Sequence, residues 1–273
     1  MEGNFVSRTI EPDRDISVLV RKFIALDLTV YPESRPGDKH IPDGSCCLVF
    51  NFCGKIKMST EEAAERFLPP YFLTLPYLGY VNVVPQCEMT SLIVVCKSSV
   101  LTGLTGISLS AGSQVPYISA GQIIPESLWN EMKTCSAARE QIEIFSDYIR
   151  KNYPVDEYVP DEIDLVYEKI FESGGCLKIS ELALLSGMSD RTFRNQFRKR
   201  VGISAKGLSR LVRVHLLWRH IYESGNKDLM DLAFRGNFFD QSHLDHDIKK
   251  ILGECPGKFF KRDLELVRIY SGF

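Results

Sequence analysis

The chain has no apolar run approaching the ~18 residues that a bilayer-spanning helix requires, so no membrane partner is expected. It contains no GxSxG, no P-loop and no dinucleotide-binding GxGxxG, which removes the commonest hydrolase, nucleotide and redox signatures. There are eight cysteines, but none forms a CxxC pair and no histidine cluster accompanies them. Adjacent Cys46-Cys47 cannot easily serve one tetrahedral zinc ion. Most of the eight therefore read as small apolar residues in a reducing cytosol. Pro85-Gln86-Cys87 is not a convincing nucleophile motif. The expectation is no metal, no cofactor and no enzyme activity. Met1-Glu2-Gly3-Asn4 lacks the basic-then-apolar pattern of a secretory signal, and a cytoplasmic, nucleoid-associated location is expected.

Net charge is also nearly absent, at −2 over 273 residues, but its distribution is uneven. Residues 174–273 hold 18 Lys+Arg against 11 Asp+Glu, whereas residues 1–173 hold 15 against 24. A basic C-terminal third beside an acidic remainder implies that only the C-terminal part meets a polyanion.

What is present begins with strand signals. Pro42-Asp43-Gly44-Ser45 is a turn, followed by the apolar strand Cys46–Phe52. A strand pair is expected around Pro76, at Tyr71–Leu75 and Leu78–Val84, and a further strand at Thr90–Cys96. Short strands with frequent Gly and Pro breaks read as a small sandwich or barrel. His40, Asp43 and Tyr80 are candidates to line a pocket, although turn and core roles are the stronger reading for each. Helix takes over after Pro125, with Leu128, Trp129 and Met132 recurring. The next helix, Ala137–Arg150, puts Ile142, Phe145 and Ile149 on one face. Asp161-Glu162 opens another, with Ile163, Val166, Tyr167 and Ile170 as its stripe, ended by Gly174-Gly175. The expected organisation is an α+β chain: a β-rich domain with a helical end over 1–151, a linker over 152–160, and an all-α domain over 161–273.

The all-α domain carries one pattern twice. The first copy spans Ile179–Val201 and the second Leu229–Leu252, about fifty residues on. Leu182-Ala183 recurs as Leu232-Ala233, and Asp190-Arg191-Thr192 is echoed by Gln241-Ser242-His243 with one residue inserted. Gly202-Ile203-Ser204-Ala205 recurs as Gly253-Glu254-Cys255-Pro256. Each copy reads as helix, turn, helix. In the first, Ser186-Gly187-Met188 is the turn and Ser189 caps the next helix. Phe193 and Phe197 point inward, and Arg191, Arg194, Asn195 and Arg198 form the opposite stripe. Arg and Asn read guanine and adenine edges bidentately in the major groove. An amphipathic helix with a solvated basic face is the plain alternative; the preceding turn and the repeat favour base reading. In the second copy Asn237 takes the turn position, Asp240 caps, Leu244 and Ile248 point inward, and Ser242, Asp245, His246 and Lys249 point outward. The helix Leu208–Glu223 joins the copies and sets their separation, with Leu211, Val212, Leu216 and Ile221 among its apolar residues. Its Arg210, Arg213 and Arg219 suit either phosphates or internal ion pairs. Lys249, Lys250, Lys258, Lys261 and Arg262 extend the basic surface.

These residues resemble the DNA-binding domain of the AraC-type bacterial transcriptional regulators. The resemblance rests on Leu182-Ala183, Ser186-Gly187, Ser189, Arg191, Phe197, Gly202, Arg213, Leu232-Ala233, Phe238 to His243, Lys249, Gly253 and Pro256. It implies two helix-turn-helix subdomains joined by a long helix. It also implies that Arg191, Arg194, Asn195, Ser242 and His246 face bases. The expected phosphate contacts are Thr192, Arg198, Arg213, Gln241, Lys249 and Lys250. Asn237, Ile248 and Ala205 stand where the family commonly has Gly, Phe and Pro, and the acidic Asp245 and Asp247 weaken the second reader. Ile41–Phe52 resembles a strand-turn motif in one group of these regulators that carries a poorly characterised sensor domain; in the wider family such domains are often cupin-like β-structures that bind small effectors or dimerise.

The expectation is a sequence-specific transcriptional regulator acting on double-stranded promoter DNA and responding to a small-molecule effector. The alternative is a constitutive DNA-binding protein whose β-rich domain only dimerises or recruits a protein. RNA polymerase and a second copy of the chain are the candidate protein partners. A closed apolar pocket favours the sensor, a filled core the dimerisation module, and convergent titratable groups an enzyme.

Overall fold

In the computed structural model of the chain, the residues described are 5–29, 38–40, 42–109, 116–225 and 241–259. The N-terminal part is built from β1 (Phe5–Ile10), β2 (Val20–Leu28), β3 (Asp38–His40), β4 (Cys46–Cys53), β5 (Ile56–Thr60), β6 (Arg66–Phe67), β7 (Tyr71–Thr74), β8 (Val81–Pro85), β9 (Met89–Cys96) and β10 (Tyr117–Ser119). They form a six-stranded sheet in the order β1-β2-β9-β4-β7-β10 and a four-stranded sheet in the order β3-β8-β5-β6. All pairings are antiparallel. The chain is therefore α+β, with a β-rich N-terminal region and a helical C-terminal one.

The continuous apolar runs of β4 and β9 have a specific cause: their sheet is covered on both faces. Successive side chains alternate between faces. Cys46, Leu48, Phe50, Leu92, Val94 and Cys96 enter a core shared with Leu128, Met132, Phe145 and Ile149. Those last four come from α2 (Glu126–Thr134) and α3 (Ala138–Asn152), which cover that face. The residues between them, including Cys47, Val49, Ser91, Ile93 and Val95, line a space between the two sheets.

The strand pair expected around Pro76 is corrected. β7 belongs to the six-stranded sheet and β8 to the four-stranded one, so the two do not pair. Residues 78–80 are loop. Leu78 packs on Gly207 and Tyr80 on Gly253, both in the C-terminal part. Those contacts draw the segment out of the sheet.

A short helix, α1 (Ser98–Thr105), follows β9. The helical part then comprises α4 (Glu162–Glu172), α5 (Ile179–Leu185), α6 (Asp190–Val201), α7 (Ala205–Ser224), α8 (Gln241–Leu252) and α9 (Pro256–Phe259). Asp161 caps α4, accepting from the Ile163 and Asp164 amides at 3.0 Å each, and Asp164 returns the favour to the Asp161 amide. Ile163, Val166, Tyr167 and Ile170 of α4 join Phe193, Phe197, Leu211, Trp218, Leu244 and Ile248 in one core. The expected features at Leu229, Leu232-Ala233, Asn237, Phe238 to Asp240, Lys261 and Arg262 lie outside the described residues.

Candidate DNA-reading face and the cavity behind it

The first unit is assembled as its sequence requires. α5 ends at Leu185, Gly187 takes φ 63°, and the Ser189 hydroxyl accepts from the Thr192 amide at 3.3 Å to start α6. Phe193, Phe197 and Val201, four residues apart, are fully buried. The Phe193 and Phe197 rings lie 5.6 Å apart, and each buried ring contributes a few kcal/mol to holding α6 in place. That fixes the opposite face. Arg191, Thr192, Arg194, Asn195 and Arg198 are all exposed. Arg194 Nε lies 2.8 Å from Asp190 Oδ2, but this is a solvent-exposed pair one turn apart, too weak to hold the guanidinium from a base edge. The Thr192 hydroxyl meets Ser189 Oγ at 2.8 Å.

In the second unit α8 buries Leu244, Ile248, Ile251 and Leu252, leaving Ser242, His246, Lys249 and Lys250 exposed and Asp245 half-buried. The side chain of Gln241 lies outside the described residues. Two expectations are corrected here. Asp247 does not weaken the reading face: it is fully buried, with its carboxylate 2.8 Å from Arg210 Nε and 3.4 Å from Arg213 Nη2. Arg213, expected at a phosphate, is correspondingly turned into this internal pair. The helical wheel explains both, since Asp247 sits three residues after Leu244 and four before Ile251. Arg219 pairs with Glu223 on the surface of α7 at 2.8 Å. Leu216, one of the apolar residues of α7, is 42% exposed.

The space between the sheets is a cavity of about 100 Å³. Its walls are apolar: Ile24, Leu26, Ile56, Met58, Phe72, Val83, Met89 and their neighbours. Its lining also includes Lys22, His40, Asp43 and Ser45, and of these Asp43, Lys22 and His40 act on His215 of α7 in the C-terminal part. The turn holding Asp43 is closed by the Ser45 amide donating to Asp43 Oδ1 at 2.8 Å, and Gly44 beside it packs on Leu208 and Leu211 of α7. Burial pushes the Asp43 carboxyl up, but His215 of α7, the Ser45 amide, Lys22 and Arg21 outweigh it and hold the group below the ordinary carboxylate value. Burial pushes His215 down to about 4 and lowers His40, against the pull of Asp43. The neutral imidazoles and the carboxylate thus link the cavity to the helix that joins the two readers. Sequence reasoning named His40, Asp43 and Tyr80 but ranked turn and core roles first; Asp43 fills a turn and lines the cavity at once, whereas Tyr80 is not in the lining and packs on Gly253. Lys22 and His215 were missed, because nothing local marks residues that meet only across domains.

The exposed stripe Arg191, Arg194, Asn195 and Arg198 lies on the second helix of a helix-turn-helix, an arrangement that suits the major groove of DNA. Residues 182–262 match the family described as a helix-turn-helix domain, so this part of the chain carries a helix-turn-helix domain. No curated protein matches the chain. Among solved structures, the chain is similar to ToxT from Vibrio cholerae, with 11% identity over 94% of this chain and 98% of that one and a TM-score of 0.47. It is similar to unsaturated fatty acid bound ToxT from Vibrio cholerae strain SCE256, with 12% identity over 95% and 96% and a TM-score of 0.43. It is also similar to the AraC-like transcriptional activator CuxR, with 13% identity over 80% of this chain and 95% of that one and a TM-score of 0.30. Among the described residues no helix is long and apolar enough to cross a membrane.

Proposed function

We propose that this chain is a sequence-specific transcription regulator that reads two unlike boxes of duplex DNA, under control of a small, mainly apolar molecule bound between its two sheets. The observation that carries the DNA reading is the exposed stripe Arg191, Arg194, Asn195 and Arg198, backed by the buried Phe193 and Phe197. Arg191, Arg194 and Asn195 contact base edges in the first box, and Ser242 and His246 do so in the second. Thr192, Arg198, Lys249 and Lys250 hold phosphates and set the register. The cavity supports the effector reading over the constitutive one, since a domain that only dimerises would close the space between its sheets with its own side chains. Cys47, the cysteine on the cavity wall, is driven by burial far above thiol range, so it is not an activated nucleophile.

Selection of bound fragments from bacterial genomic DNA, with and without small-molecule cell extract, tests both halves. The expected result is a two-box sequence whose recovery changes with extract. Recovery of random fragments would end the reading of specific boxes, and identical recovery in both arms would end the effector reading.

A further inference from the structure

The two recognition helices end in the same way, and the β-rich domain attends to both ends. α6 stops at Gly202 (φ 88°) and α8 at Gly253 (φ 71°), equivalent positions of the repeat. Neither glycine has room for a side chain: Leu109 of the β-rich domain lies on Gly202, and the Tyr80 ring lies on Gly253. The last turn of a helix leaves carbonyls without intrahelical partners. In each helix one such carbonyl is satisfied from the other domain. The Thr102 hydroxyl of α1 donates to the Arg200 carbonyl at 2.8 Å, and Lys39 Nζ of β3 donates to the Leu252 carbonyl at 2.6 Å.

The two grips differ in strength and surroundings. The first is reinforced by the Arg200 side chain, which donates to the Ser99 carbonyl at 2.9 Å and to Tyr158 Oη at 3.1 Å and pairs with Asp161 and Asp164. Among the described residues the second is carried by Lys39 and the Tyr80 ring. Lys39 Nζ sits 2.9 Å from Glu254 Oε1 and 4.0 Å from the Tyr80 ring centroid, placing a cation at the negative end of α8. Ser242, His246 and Lys249 stay exposed while this grip is closed, so it does not cover the reading stripe. It holds the far end of the helix that carries the stripe.

We infer that the β-rich domain is a two-point clasp on the recognition helices, and that its Lys39 point fixes how the second reader is set relative to the first. β3 connects this point to the cavity. Adjacent strand residues face opposite ways, and His40, the neighbour of Lys39, lines the cavity opposite Val81 of β8. A molecule entering the cavity presses on the strand whose other face holds α8, so effector and operator spacing are coupled through one strand. That coupling rests on the effector reading above; the clasp itself does not.

The test uses the full chain, the two-box fragment recovered by selection, and the same fragment with two or four base pairs inserted between the boxes. Lys39→Met is expected to speed amide exchange over residues 248–253 about tenfold, the effect of losing one charge-assisted hydrogen bond, and to leave residues 197–203 unchanged. It is also expected to bind the spaced fragments as well as the parent, where the wild type discriminates. Lys39→Arg should restore both behaviours. Thr102→Val should speed exchange over 197–203 instead. Glu254→Gln, which alters the partner and not the lysine, should move spacing preference in the same direction as Lys39→Met and guards against a misfolded variant. Unchanged exchange over 248–253, or an intact spacing preference in both Lys39→Met and Glu254→Gln, overturns the clasp. If these variants relax spacing while no extract alters wild-type binding, the clasp stands and the effector reading fails.

Discussion

Arg210 Nε lies 2.8 Å from a carboxylate of Asp247 that has no exposure to solvent. The pair joins the connecting helix α7 to the recognition helix α8, and Arg213 closes on the same carboxylate at 3.4 Å. Two cations around one buried anion make the carboxylate hard to remove, because either arginine is then left partly desolvated without its charge. Asp247→Ala is expected to cost about 3–5 kcal/mol of stability. Arg213→Ala is expected to lower stability as well, while leaving the salt dependence of DNA binding unchanged. Thermal denaturation and a salt titration of binding check the pair. A salt slope flattened by about one phosphate in Arg213→Ala would return that residue to the DNA.

The exposed residues behave differently. Arg194→Ala is expected to relax specificity at one base position in the first box, at about 1–3 kcal/mol. Lys249→Ala is expected to weaken binding to all sequences alike and to flatten the salt dependence by about one phosphate. Competition with single-base variants of the selected fragment separates the two. A uniform loss in Arg194→Ala would make it a phosphate contact.

Much of this was legible locally. Phe193 and Phe197 one turn apart, the Ser189 cap and the Gly187 turn locate the first unit, and the apolar runs of β4 and β9 locate two strands. β2 was missed because Arg21, Lys22 and Asp27 interrupt its apolar pattern. The structure explains two of these charges: Arg21 pairs with Glu168 of α4 at 2.8 Å, and Lys22 lines the cavity. Asp247 was misplaced although its wheel position was readable, since an acid is ordinarily assigned to solvent. The grips of Thr102 and Lys39 were not readable at all, as they join residues 98 and 213 positions apart.

Acid should weaken the interface between the domains before it weakens either core. His215 faces Asp43, Lys22, His40 and Arg219, and its folded pKa is pushed to about 4 from the ordinary 6.5. A histidine held neutral in the folded state stabilises it fully above the unfolded pKa. Between pH 6.5 and 4 the unfolded chain binds the proton first, so stability falls as pH falls through that window, by at most on the order of 3 kcal/mol. His40, lowered in the same direction, adds to the loss. Asp43, held below 3.8, acts only in more acid solution. His215→Gln is expected to flatten the dependence of the denaturation midpoint between pH 6.5 and 4.5. A slope as steep as that of the wild type would mean that the histidine is already solvated.

The connecting helix should matter through its backbone. α7 runs over Ala205–Ser224, and Leu216 lies in its interior with 42% of its surface exposed. Leu216→Ala therefore removes little packing and is expected to leave both boxes protected. Leu216→Pro removes an interior helical hydrogen bond and drives its ring against the preceding turn, a cost of about 3 kcal/mol or more. The two readers lie one turn of duplex apart in the proposed complex, about 34 Å centre to centre, and protect ~20 base pairs. A kink midway between them swings one reader out of its groove. The reader retained is expected to be the first, whose Arg191, Arg194 and Asn195 make stronger base contacts than Ser242 and His246 can. Footprinting of the two variants decides. Protection of a single box by the wild type would sink the two-reader complex, and full protection by Leu216→Pro would show that α7 does not set the spacing.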